Sequence, residues 1–147
     1  METAMREEEK NLSKVELSML FHEKTYNCAQ AVALAYCEEL GADRETVFRL
    51  TEGFGRGMGN MEQTCGALTG AIFLAGLKNS DANLDAPATK VSTYKLTKEM
   101  QRLFAEKCGA TVCKDLKGVE TGKPLCACDE CIRNGVRVAQ EVLGLED

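Results

Sequence analysis

Apolar residues recur along this chain at three- and four-residue spacing, and no stretch alternates as a strand would. Val15, Leu17, Leu20 and Phe21 share one face, which predicts a helix to about residue 24 with Ser13 as its cap. Asn27 caps a second helix over residues 28–40, and Gly41 follows in the C′ position. Asp43 begins a third helix through Val47, Phe48 and Leu50. Gly53, Gly55, Gly57 and Gly59 then stand at alternate positions. Such a run holds a helix poorly, so residues 53–60 read as a loop. A helix over residues 65–77 carries two rows of small residues, Gly66 and Gly70 beside Ala67, Ala71 and Ala75. Rows at this spacing let another backbone come close. A polar linker, residues 79–87, leads to a long amphipathic helix over residues 88–107, with Val91, Tyr94, Leu96, Met100, Leu103 and Phe104. Residues 111–116 form a short helix ending at Gly118, and a last helix runs from about residue 129 to 143. The pattern predicts an all-α fold, an irregular bundle of about six helices. Residues 1–147 read as a single cysteine-rich domain with a flexible lead over residues 1–11.

Composition narrows the function. A chain of 147 residues can bury a core without disulfide staples. Its formal net charge is -5 and it has no basic block, so a nucleic-acid partner is not expected. The first ten residues are charged and lack the apolar region of a signal peptide. The most apolar run, residues 67–77, is far shorter than the roughly 20 residues of a membrane span. A cytoplasmic protein with no membrane partner is expected.

Against that background the eight cysteines stand out. In a reducing compartment they point to metal binding or catalysis rather than to disulfides. Cys37 and Cys108 fall within helical patterns where any small apolar residue would serve, and read as packing. Cys28 and Cys65 stand at predicted helix starts, where unpaired N–H groups favour a thiolate. They are the candidate redox thiolates. Gly55, Gly57 and Gly59, with Gly66 after Cys65, suit a backbone that passes close to a cofactor or to Cys65 itself. Cys126, Cys128 and Cys131 lie within six residues and can share a metal or exchange disulfides. Ile132 follows Cys131, so the Cys-x-x-Cys-His signature of haem attachment is absent. His22 is the only histidine, which excludes Cys₂His₂ zinc and bis-histidine haem within one chain. The glycine loop lacks the Gly-Lys-Ser/Thr end of a phosphate loop.

The order of these features resembles the putative redox-active C_GCAxxG_C_C family. An Asn-Cys helix start is followed by Gly-Phe-Gly-x-Gly-Met-Gly, by Cys65-Gly66-Ala67-Leu68-Thr69-Gly70-Ala71, by Cys113 to Gly118 and by a final cysteine before an amphipathic helix. The resemblance spans about residues 12–145. It implies functional cysteines at Cys28, Cys65, Cys113 and Cys128, with Cys126 and Cys131 as alternates to the last. Arg56 stands where the family pattern leads one to expect glycine, and three terminal cysteines stand where one is expected. The family is similar to a helical, dimeric domain of split-Soret cytochrome c that carries haem and an iron–sulfur centre. Without a haem motif, what transfers is a helical fold, a homodimer and an iron–sulfur site. Three readings follow. The first is an electron carrier or oxidoreductase with a [2Fe–2S] cluster and an unknown redox partner. The second is a metal-free thiol–disulfide protein in which Cys28 or Cys65 attacks. The third is a structural module, either with zinc on Cys126, Cys128, Cys131 and a partner such as Cys113, or a helical interaction module whose cysteines are ordinary buried residues.

Overall fold

The structure is a computed structural model that describes residues 7–147. Every regular element among the described residues is helical. Helix α1 is Lys14–Glu23, α2 is Cys28–Tyr36 and α3 is Arg44–Thr51. A 3₁₀ turn, Glu52–Phe54, leads into a four-residue helical turn α4, Gly55–Met58. Helix α5 is Gly66–Asn79, α6 is Lys90–Cys108, α7 is Cys113–Lys117 and α8 is Cys128–Leu143.

The helix starts follow local chemistry. The Ser13 hydroxyl accepts from Glu16 N while Ser13 N donates to the Glu16 carboxylate, a reciprocal cap. Asn27 and Gln30 repeat the arrangement at α2. Asp43 caps α3 through Thr46 N. Two details differ from the sequence pattern. Helix α2 ends at Tyr36 and the chain then turns to Gly41, whose φ is +93°. Residues 53–60 are a wound segment rather than an open loop, with Arg56 and Gly57 both left-handed at φ +56° and +57°. The expected lead over residues 1–11 falls partly outside the described residues. Within them, residues 7–9 are helical, and Glu9 takes both terminal nitrogens of Arg44 at 2.7 and 2.6 Å.

Helix α2 is apolar apart from Gln30 and buried from Ala29 to Tyr36, so it forms the centre of the bundle. It packs on α1, α3, α5 and α8. Small residues permit this. A methyl group at Gly70 would lie 2.7 Å from the Ala29 carbonyl, and one at Gly135 would lie 2.7 Å from the Ala67 carbonyl. Helices α2, α5 and α8 therefore meet backbone to backbone. Met100 and Phe104 of α6 close the other side of α5. Among the described residues no helix is long and apolar enough to cross a membrane.

Candidate functional site

The bundle brings several helix ends to one place. Cys28 is the first residue of α2. Its cap, Asn27, also donates Nδ2 to the Glu52 carbonyl at 2.9 Å, which ties the helix start to the 3₁₀ turn. Cys65 is itself the N-cap of α5, one position earlier in the helix than the sequence pattern implied. Its N–H donates to the Thr111 carbonyl at 2.7 Å, and Cys113 N donates to the Gln63 carbonyl at 2.9 Å. Thr64 and Val112 thus pair as an isolated antiparallel bridge. The bridge sets Cys65 and Cys113 side by side at the starts of α5 and α7.

Glycines make room for the sulfurs. A side chain at Gly66 would collide with Cys28 Sγ, and one at Gly57 would meet Cys113 Cβ at 2.5 Å. Gly55 leaves the space that the Asn27 side chain fills, whereas Gly59 faces open space. Of the four glycines singled out from the sequence, two therefore border cysteines directly and one borders a cysteine's cap.

The C-terminal cysteines arrive from three segments. Cys108 is the last residue of α6. Cys126 lies in the approach to α8, its N–H directed to the Leu116 carbonyl at 3.3 Å. Cys128 opens α8, and Cys131 follows one turn later with its thiol toward the Cys126 carbonyl at 3.8 Å. Asn134 donates Nδ2 to Cys108 Sγ at 3.3 Å. The sulfurs of Cys108, Cys126 and Cys131 lie within 4.8 Å of one another, a set that could hold a metal ion.

A cavity of about 170 Å³ opens beside this group. Cys28, Cys65, Cys113, Cys126, Cys128 and Cys131 line it, together with Arg56 and Lys117. His22 also lines it. All eight cysteines are free thiols. Cys37 is fully buried in the core, away from the cavity. Cys108 is more than packing, because it completes the three-sulfur set. Its position one residue before Gly109 and five before Cys113 was the only trace of this in the sequence.

The sulfurs are coupled. Cys65 is held well below the ordinary thiol range because the Cys131 and Cys28 thiols donate to it, and because the Ala67 and Leu68 N–H groups face it at the helix start. Those N–H groups favour the thiolate without closing a regular capping bond. Cys28 is pushed up by its bond to Cys65 and by burial. Cys131 is pushed up by its bonds to Cys108 and Cys65 and by burial. Cys108 is lowered to about 7, chiefly by the Cys131 thiol, with Asn134 adding a further donor. Burial raises Cys126 to about 11 and also raises Cys113. Charge thus favours Cys65 and, more weakly, Cys108, and the single Cys131 proton is shared between these two sulfurs.

The family model described as a putative redox-active protein (C_GCAxxG_C_C) matches residues 26–142. The chain belongs to that family. No curated protein and no solved structure matches the chain. The match takes in all seven cysteines of the cavity and the three-sulfur set. The geometry also gives a physical reason for the Cys-Gly-Ala-x-x-Gly segment of this C_GCAxxG_C_C protein. Cys65 presents the thiolate, Gly66 clears the Cys28 sulfur, Ala67 receives α8 at Gly135, and Gly70 receives α2 at Ala29.

Proposed function

We propose that this protein is an electron carrier whose cysteine-lined cavity holds a [2Fe–2S] cluster on Cys28, Cys65, Cys113 and Cys128. The observation that carries the reading is the convergence of these four cysteines, from four separate helix starts, on one cavity. Cys28 and Cys65 are hydrogen-bonded neighbours, and Cys113 stands beside Cys65 across the Thr64–Val112 bridge. Two thiolates per iron is the donor set such a cluster requires. The set is soft and all-sulfur, which disfavours hard cations. Arg56 and Lys117 bring positive charge to a site that would carry net negative charge.

When bound, the cluster supplies one-electron chemistry. The chain does the rest. Cys65 is already poised as a thiolate, and the Arg56 and Ala29 N–H groups favour charge on Cys28. Burial of Cys65 and Cys113 limits water at two of the four ligands, while Cys28 is half-buried and Cys128 is exposed. The Cys128 edge is the side at which a redox partner would approach, and a reducing, cytoplasmic setting suits free thiols of this number. The test is anaerobic purification with iron and acid-labile sulfide analysis. Two irons and two sulfides per chain are expected, lost in Cys28→Ser and Cys113→Ser. A colourless, iron-free protein after anaerobic reconstitution would overturn the reading.

One observation favours a metal-free alternative, namely the Cys65 thiolate between two thiols. In that reading Cys65 attacks a substrate disulfide and expels one substrate thiolate. Cys28 or Cys131 then displaces the second, leaving an intramolecular disulfide and a substrate reduced by two electrons. Mass spectrometry in graded redox buffers would then find a reversible Cys65 disulfide in iron-free protein.

A further inference from the structure

We propose that Cys108, Cys126 and Cys131 form a second metal site, distinct from the cavity site, that takes one monovalent copper ion in three-coordinate thiolate geometry. The three sulfurs lie within 4.8 Å of one another, and the group contains no carboxylate or imidazole. An all-thiolate set selects soft ions and rejects magnesium, calcium and manganese. Cys108 and Cys131 are only 4% and 3% exposed and Cys126 is half-buried, and the group supplies three sulfurs as ligand atoms. Zinc prefers four ligands in such a setting. Cuprous ion is satisfied by the three that are present.

The site adjoins the cavity, since Cys131 is hydrogen-bonded to Cys65, and two features set it apart. Cys108 does not line the cavity, although Cys126 and Cys131 form part of its wall. The triad also has its own supporting residue. Asn134 is 6% exposed and donates Nδ2 to Cys108 Sγ, while its Oδ1 accepts from Arg137 Nη1 at 3.0 Å. That second bond fixes which way the amide points. An oriented donor on a sulfur is what holds a ligating thiolate in place. The three cysteines belong to the end of α6, the approach to α8 and the first turn of α8. An ion held there clamps the C-terminal helix to α6.

The experiment uses full-length reduced protein carrying Cys28→Ser and Cys113→Ser, which removes half of the cavity ligands. Cuprous ion is titrated anaerobically against a competing chromophoric chelator. One equivalent is expected to bind and to raise the melting temperature. Adding Cys108→Ser, or separately Cys126→Ser, should weaken binding by about 100-fold, while circular dichroism confirms that each apo variant keeps its helices. Copper affinity unchanged in both variants would overturn the proposal. Iron and sulfide content is measured in parallel on the otherwise wild-type Cys108→Ser protein. Retained iron supports two sites. Lost iron overturns the second site and puts Cys108 in place of one of the four proposed cluster ligands, while the presence of a cluster in the wild-type protein stands.

Discussion

Cys28 and Cys65 on one side, and Cys108, Cys126 and Cys131 on the other, are two ways of gathering sulfur. The first pair sits at the starts of α2 and α5, the two most intimately packed helices of the bundle. Its geometry is imposed by backbone, because Gly66 and Gly70 leave no slack between those helices. The triad is assembled from the end of one helix, a connecting segment and the beginning of another. Its geometry depends on side chains and on one amide, Asn134. The rigid pair suits a centre that must not rearrange as it changes charge. The triad suits an ion that arrives after folding and fastens what it finds.

The contrast can be broken first at Gly70. Replacing it with Val drives a branched side chain into the Ala29 carbonyl, at an expected cost of about 3 kcal/mol. Urea unfolding of the reduced apo protein measures this, and a loss below about 1 kcal/mol would refute backbone control of the pair.

The next effect is on pH dependence. Cys65 titrates below the ordinary thiol value of 9.0. Its contribution is therefore fully present above that value and declines as pH falls toward its folded pKa. Cys28 and Cys131 titrate above 9.0. Their contributions are present below 9.0 and fade as pH rises through and beyond it. The metal-free protein should be most stable near the ordinary thiol value, and Cys65→Ser should flatten the acid-side slope. Denaturant midpoints across pH decide this, and an unchanged acid limb in the variant would count against a Cys65 thiolate.

The smallest effect sharpens the other half of the comparison. Asn134→Ala removes the donor to Cys108 and should cost about 1 kcal/mol. It should loosen cuprous binding by about 10-fold yet leave iron content untouched. A matching loss of iron would show that the two sulfur groups act as one.

The helical bundle was legible because its starts are chemical. Ser13, Asn27 and Asp43 cap as their side chains dictate, and Gly109, Gly118 and Gly144 end helices in left-handed geometry. The helix-start cysteines were visible for the same reason. Cys65 shifted by one position because its own backbone, rather than that of Thr64, takes the cap geometry while its N–H pairs with Thr111. The winding of residues 53–60 was hidden, since Arg56 and Met58 adopt left-handed conformations that their residue types do not announce. Cys108 was hidden more deeply. It occupies an ordinary buried position at the end of an amphipathic helix, and its sulfur neighbours lie 18 and 23 residues further along the chain. Local pattern carries no information about a contact made by a later helix.

The placement of α8 has a consequence for synthesis. This helix enters a groove formed by α1, α2, α5 and α6 and brings Cys128 and Cys131 with it. A nascent chain leaving the ribosome therefore exposes Cys28 and Cys65 long before the last two thiols exist. Cavity and triad both wait for this sixteen-residue helix to dock. A chain that stops before α8 lacks Cys128 and Cys131, and with them part of the cavity wall and one sulfur of the triad.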